Sequence, residues 1–170
     1  MEDEGTIEIF LEEYTAQMNC LVTEGFCESP LVDGQSTWSS ITYKVADLDV
    51  AFEISLDARD FIVSTYITLF TEAKRPGVFY VSQGRVIRLF LGEILKQLGT
   101  QIPSVQEELK QWKADTGKHS KRIDRSLRAL KMPDTKAVRE LFRTDAQWVA
   151  HFLCQYGKEI IQYARNYWGL

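Results

Sequence analysis

An alternation of apolar and polar side chains in residues 41–69 constrains the fold of this chain more than any other feature. A period of two is typical of strands that present one face to a core. The connections at residues 46–49 and 57–60 are too short for a crossover helix, so the strands must pair as an antiparallel meander. Residues 78–81 predict a short fourth strand at the edge. The alternating apolar positions are Ile41, Tyr43 and Val45, then Val50, Phe52, Ile54 and Leu56, then Phe61, Val63, Ile67 and Leu69.

Helical periodicity flanks this region on both sides. Apolar residues between positions 7 and 22 recur at intervals of three and four, which predicts an amphipathic helix that ends before Gly25. From residue 84 onward the pattern predicts helices, the first over residues 86–98, with breaks at Gly99, Gly117 and Pro133. Capping patterns place further helix starts at Ser104 with Glu107, at Asp134, and at Thr144 with Gln147.

These patterns together predict an α+β fold. An N-terminal helix is followed by a three- to four-stranded antiparallel meander sheet and then by a helical C-terminal half that packs on the sheet. We expect a single domain over residues 1–170, in which residues 1–83 supply the helix and sheet and residues 84–170 the helical portion. A chain of 170 residues with 45% hydrophobic residues can bury about 70% of its unfolded surface, which is ample for one core.

Cysteine usage and the N-terminus bear on the compartment. The three cysteines, Cys20, Cys27 and Cys154, include no Cys-x-x-Cys pair, which favours reduced thiols in a cytoplasmic protein. The chain begins Met-Glu-Asp-Glu, where a secretory signal would be basic, and no apolar run approaches the roughly 20 residues that span a bilayer. We therefore expect a cytoplasmic protein without a membrane partner.

Charge is distributed unevenly along the chain. Residues 1–60 contain 14 acidic and two basic side chains, whereas Lys110–Arg143 contains 11 basic and four acidic ones. On a helix over residues 118–131, five cations fall within an arc of about 120° opposite the apolar residues. This basic amphipathic helix is either neutralised by the chain's own acids or free to contact an acidic protein, nucleic-acid phosphates or anionic lipid. The five cations are Lys118, Lys121, Arg122, Arg125 and Arg128.

A complementary acidic set lies on and around the predicted middle strand. Asp47 and Asp49 occupy one connection, Asp57 and Asp60 the next, and alternation places Glu53 between them on the outward, polar face. Such a face could bind a basic partner. Aspartates are also common in turns for local reasons, so the structural interpretation stays open beside the functional one.

No segment carries a recognisable catalytic signature. His151 and Cys154 lie three residues apart on a predicted helix, the spacing of a metal-ligand or Cys-His nucleophile pair, but a buried thiol beside a helix histidine explains them more simply. Asp57 and Asp60 around Arg59 could hold a divalent metal or act as acid and base, although Arg59 is more simply their ion-pair partner. Glycine-rich phosphate loops and nucleophile motifs do not occur. We predict no catalytic residues, no metal and no cofactor.

The sequence therefore predicts a non-enzymatic protein-binding module. In size and layout the chain resembles immunity proteins and secretion chaperones, which neutralise or carry other bacterial proteins. The implied partner is another protein, such as a toxin or a secreted protein, bound through charged surfaces. The alternative is a nucleic-acid-associated accessory protein that uses the basic helix at residues 118–131.

Overall fold

The computed structural model describes residues 5–70 and 80–170. The first helix, α1, spans Thr6–Thr23. Gly5 precedes it and donates its backbone N–H to the Glu8 carboxylate over 3.3 Å, so an acid in the first turn satisfies a free donor at the helix start. After α1 the chain reverses at Gly25, whose φ of +74° is readily adopted only by glycine.

Five antiparallel strands form the main sheet. They are β1 (Leu31–Gln35), β2 (Trp38–Lys44), β3 (Val50–Asp57), β4 (Ile62–Leu69) and β7 (Arg88–Phe90), in the spatial order β1-β2-β3-β4-β7. β5 (Val81–Ser82) and β6 (Arg85–Val86) form a separate two-stranded hairpin. The register pairs Ile41 with Ile54 and Phe52 with Ile67, so the predicted apolar positions share one face of the sheet.

Three helices complete the fold: α2 (Leu91–Leu98), α3 (Pro103–Arg128) and α4 (Thr135–Trp168). The apolar face of the sheet, α1 and the buried side of α4 contribute to one hydrophobic cluster, in which Phe10, Phe52 and Phe142 are fully buried. The predicted α+β class is confirmed: an N-terminal helix and an antiparallel sheet are followed by helices that pack on it. Among the helices of the described residues, none is long and apolar enough to cross a bilayer.

Two predicted helix breaks are wrong. Gly117 lies inside α3, and Thr144 lies inside α4. A glycine in a helix costs about 1 kcal/mol relative to alanine, and burial of Leu109 and Ile123 on either side of Gly117 outweighs that cost. Asp134, which accepts a hydrogen bond from the Lys136 backbone N–H over 3.0 Å, is the N-cap of α4, and α4 continues through Thr144 to a kink at Tyr156.

The edges of the sheet also differ from the prediction. Residues 31–35 form the edge strand β1, and residues 88–90 form β7 where a helix was predicted from residue 86. Ile102, and not Ser104, is the N-cap of α3. Residues 78 and 79 of the predicted fourth strand at residues 78–81 lie outside the described residues, and β5 begins at its last position.

Candidate functional site

The exposed half of α3 carries four cations that the described part of the chain leaves without an ion pair. We call Lys118, Lys121, Arg125 and Arg128 the basic ridge; all four are exposed. They span roughly 15 Å along the helix and lie within about 80° around its axis. Ile123, on the opposite side of α3, is buried in the core. The apolar side of α3 thus anchors the helix and leaves the ridge facing outward.

Four other cations between residues 110 and 143 form ion pairs within the fold: Lys110, Arg122, Arg139 and Arg143. Lys113, Lys131 and Lys136 are exposed and have no ion pair among the described residues. Arg122 donates to the Glu140 carboxylate over 3.2 Å, and His119 Nδ1 lies 3.9 Å from the same carboxylate. The fifth predicted cation, Arg122, therefore does not belong to the free set. Glu140 lies on α4, so these contacts hold α3 and α4 together and do not involve the four residues of the ridge.

An ion-pair network between α1 and α4 neutralises two more arginines. Arg139 Nη1 lies 3.0 Å from Glu12 and 2.9 Å from Glu13, and Arg143 binds both oxygens of Glu13 at 3.1 and 2.9 Å. Burial raises the pKa of the Glu13 carboxyl, but the hydrogen bonds from Arg143 and Arg139 outweigh it and hold that pKa below its usual range. The acids of α1 therefore neutralise α4 and not the ridge.

An apolar tip follows the ridge directly. We give this name to Leu130 and Met132, whose exposed fractions are 95% and 79%. The Leu130 N–H donates to the Leu127 carbonyl over 3.0 Å and the Lys131 N–H to the Ser126 carbonyl over 2.9 Å, the pattern of a Schellman C-cap. Such a cap places its central residue in the left-handed region, and Leu130 has a φ of +53°.

Leucine is a poor choice for that position on structural grounds. A non-glycine residue in the left-handed region costs roughly 1–2 kcal/mol, and glycine is the usual occupant. The Leu130 side chain does not offset this cost through packing, because almost all of its surface is exposed. Leu130 therefore combines a strained backbone with an apolar side chain that makes little contact within the described part of the chain.

The predicted acidic residues do not form one continuous surface. Asp47 and Asp49 are exposed at one end of β3, and Asp60 is exposed at the other, roughly 25 Å away along an eight-residue strand. Asp57 accepts two hydrogen bonds from the Arg59 side chain, and these hold the pKa of its carboxyl below the usual range. Arg59 therefore partly neutralises the charge of Asp57 within the turn.

Glu53 lies on the outward face, as the alternation predicts, but it is buried. Arg88 Nε and Nη2 donate to its two carboxylate oxygens over 3.1 and 3.2 Å, and only 5% of Glu53 and 3% of Arg88 side-chain surface is exposed. A cleft of about 290 Å³ above this pair is walled by Trp38, Tyr66 and Tyr80. The pair forms the floor of that cleft and is not an exposed acidic contact.

His151 and Cys154 are not brought together. His151 Nε2 lies 3.1 Å from a Glu108 carboxylate oxygen, whereas Cys154 forms a disulfide with Cys20 that joins α4 to α1. The prediction of three reduced thiols is therefore wrong for this pair. Cys27 is a buried free thiol, and burial raises its pKa to about 12, which removes its nucleophilic form at neutral pH.

The described residues contain no group of three or more histidine, cysteine, aspartate or glutamate side chains that could hold a metal ion.

The sequence analysis predicted the cations of the ridge but did not predict the exposed apolar residues of the tip. One feature of the sequence could have indicated the tip: no glycine occurs between the basic helix and Pro133, although a helix that ends there needs a residue in the left-handed region.

Comparison with known proteins finds no matching family model, and no curated protein or solved structure is significantly similar to the chain.

Proposed function

We propose that this chain is a protein-binding module that docks an acidic partner protein on the basic ridge and the apolar tip. The observation that carries the proposal is Leu130, an almost fully exposed leucine held in a left-handed conformation. It follows four exposed cations that have no ion pair among the described residues. Exposed charges raise the rate and specificity of association, and a buried apolar anchor supplies much of the affinity. The ridge and the tip together provide both elements.

A protein partner fits this surface better than a membrane or a nucleic acid. A helix that lies on a lipid surface inserts its apolar face, but the apolar face of α3 already packs into the core through Ile123 and Leu127. Phosphate backbones would use the cations of the ridge and leave Leu130 and Met132 without a contact. The inhibitor and carrier roles predicted from the sequence are both forms of protein binding.

The first test identifies the partner and the contact together. A photo-cross-linking residue placed at Lys121 or Met132 should capture one acidic protein from a lysate of the source cells. The same residue at Gln162, exposed on α4 beyond the kink at Tyr156, should not capture it. Equal capture from all three positions would contradict the proposed surface.

Charge reversal on the ridge is expected to weaken binding of the captured partner at least tenfold. The variant K121E/R125E replaces two cations of the ridge by anions that an acidic partner repels. The control K96E/K158E makes the same change in net charge at exposed positions of α2 and α4, and its affinity should change less than about twofold. Isothermal calorimetry on purified proteins measures both. Equal affinities for the two variants would rule out the ridge.

Leu130→Gly is expected to stabilise the protein while weakening binding. Glycine relieves a backbone cost of about 1 kcal/mol in the left-handed region, so the denaturation midpoint should rise. Loss of a leucine that is buried only in the complex should lower the affinity about tenfold or more. Leu130→Asn, which also tolerates that backbone region, should bind as weakly as the glycine variant. Reduced stability, or unchanged affinity, would show that Leu130 serves the fold instead.

The salt dependence of binding tests the nucleic-acid alternative. If the ridge neutralises phosphates, binding of single-stranded RNA or duplex DNA should weaken by about 0.7–0.9 log units per log unit of salt for each phosphate contacted. K121E/R125E should then reduce that slope by about two such steps, and Leu130→Gly should leave it unchanged. If the chain binds the partner protein but binds neither nucleic acid at low salt, the protein-binding proposal is favoured.

Binding to vesicles that contain anionic lipid, measured over the same range of salt, tests the membrane alternative.

A further inference from the structure

We propose that a cavity between α1, α3, α4 and the β3–β4 turn binds a small organic cation, such as a quaternary ammonium group or a small amine. The cavity has a volume of about 230 Å³ and lies apart from the ridge. Its lining combines one carboxylate, three aromatic rings and two hydroxyl groups. These residues are Asp145, Tyr14, Phe61, Phe142, Thr116 and Ser120.

Asp145 supplies a negative charge that lacks a cationic partner in the described part of the chain. Its Oδ2 accepts a short hydrogen bond from the Tyr14 hydroxyl, and its Oδ1 accepts one from Trp112 Nε1 over 2.7 Å. Both donors are neutral. Burial raises the pKa of the Asp145 carboxyl although both hydrogen bonds oppose this. Asp145 is partly buried, and a carboxylate removed from water is normally paired with a cation or a metal, so a bound cation would complete the site.

The aromatic lining favours the same kind of ligand. The rings of Tyr14 and Phe142 lie 6.3 Å apart, centre to centre, and Phe61 lines the cavity from the β3–β4 turn. The faces of aromatic rings carry partial negative charge and attract organic cations within about 6 Å. Carboxylate and rings together favour an organic ammonium over a neutral or anionic ligand.

The backbone at Phe61 is strained in a way that supports a binding role. Phe61 has a φ of +56°, and a bulky residue in the left-handed region is a conformational outlier. Phe61 is nevertheless buried, with an exposed fraction of 6%. The turn therefore holds an aromatic ring against the cavity at the expense of a relaxed backbone, a feature that is common at ligand clamps.

The volume of the cavity and the side chains that line it further limit the kind of ligand that can bind. Pockets for drug-sized ligands measure roughly 300–1,000 Å³, so a cavity of about 230 Å³ suits a head group or a small amine. Among the described residues that line the cavity, Asp145 is the single acid, and the other polar side chains carry hydroxyls. A metal ion would require further anionic or imidazole ligands, whereas an organic cation needs one carboxylate and apolar walls.

The proposal is tested by comparing a cation with its uncharged isostere. The intact protein is titrated with choline, tetramethylammonium and ethylammonium, and separately with 3,3-dimethylbutan-1-ol, which has the shape of choline without its charge. The Trp112 indole N–H resonance reports binding, because that group donates to Asp145. We expect a saturable shift with at least one cation and none with the alcohol. Equal shifts with both, or no saturable shift with any cation up to about 50 mM, would overturn the proposal.

Two variants locate the bound cation within the molecule. Asp145→Asn removes the charge and should abolish the saturable shift. Phe61→Leu keeps an apolar side chain but removes the aromatic face, and should weaken binding roughly 3- to 10-fold. Phe90→Leu, on β7 and outside this cavity, is the matched control and should bind as the unaltered protein does. If Asp145→Asn fails to fold, Phe61→Leu decides alone, and its unchanged affinity would overturn the proposal.

Discussion

Replacing Arg88 by methionine is expected to lower the free energy of unfolding by about 3–5 kcal/mol. The guanidinium of Arg88 binds both carboxylate oxygens of Glu53, and both side chains are almost completely buried. Without Arg88, Glu53 would be left as a buried charge without its guanidinium partner. Urea denaturation followed by far-ultraviolet circular dichroism measures the change.

A double variant separates the ion pair from simple loss of packing. E53M/R88M removes both charges and should recover most of the stability, because replacing a buried ion pair by apolar residues of similar volume is often neutral or stabilising. Arg59→Met breaks the ion pair of Arg59 with Asp57 in an exposed turn and should leave stability essentially unchanged. If the double variant is no more stable than Arg88→Met, the pair does not act as a unit.

Glu53 also marks the limit of what alternation can predict. The alternating pattern correctly placed Glu53 and Ser55 on the face opposite Phe52 and Ile54, because Glu53 and Ser55 line the same cleft whereas Phe52 and Ile54 belong to the hydrophobic cluster. It did not reveal that this face is partly buried, because burial there depends on Arg88 of β7, a strand far along the chain. Periodicity determines which face a side chain occupies but not what covers that face.

The helical half was predicted in type but not in its divisions. The capping pattern at Asp134 begins a real helix, whereas the same reasoning at Thr144 marks the interior of α4. The difference is packing: Phe142, Ala146 and Val149 form a buried stripe across Thr144, and burial of such a stripe outweighs a local capping preference. Local signals therefore place the possible ends of a helix, and tertiary contacts select among them.

The candidate surface was likewise predicted in part from local sequence signals and in part determined by tertiary contacts. Helical spacing alone located the ridge, since Lys118, Lys121 and Arg125 share one side of any helix over those residues. Which cations stay free could not be predicted, because Arg122 is neutralised by Glu140 and Arg139 by Glu12 and Glu13, the latter pair more than 120 residues away in the chain. Likewise, the exposure of Leu130 depends on where α3 ends. Long-range ion pairs and helix ends decided the site.

Breaking the Cys20–Cys154 disulfide is expected to lower the free energy of unfolding by about 2–5 kcal/mol. The bond joins residues 134 positions apart, and the entropy lost by the unfolded chain on closing so long a loop sets the upper value. Purified without reductant, the protein should be 2 Da lighter than its sequence mass, the loss of two hydrogens, and Cys27 should be its single thiol accessible after unfolding.

The measurement compares thermal unfolding with and without a reductant. Reductant should lower the melting temperature of the unaltered protein, and the variant C20S/C154S should melt at that lower temperature whether reductant is present or not. Cys27→Ser, which alters a buried thiol outside the bond, should keep the full response to reductant. Three free thiols in the unfolded protein purified without reductant would contradict the disulfide. The cytoplasmic location predicted from the cysteine pattern rests on the reduced state, so the same thiol count tests that prediction.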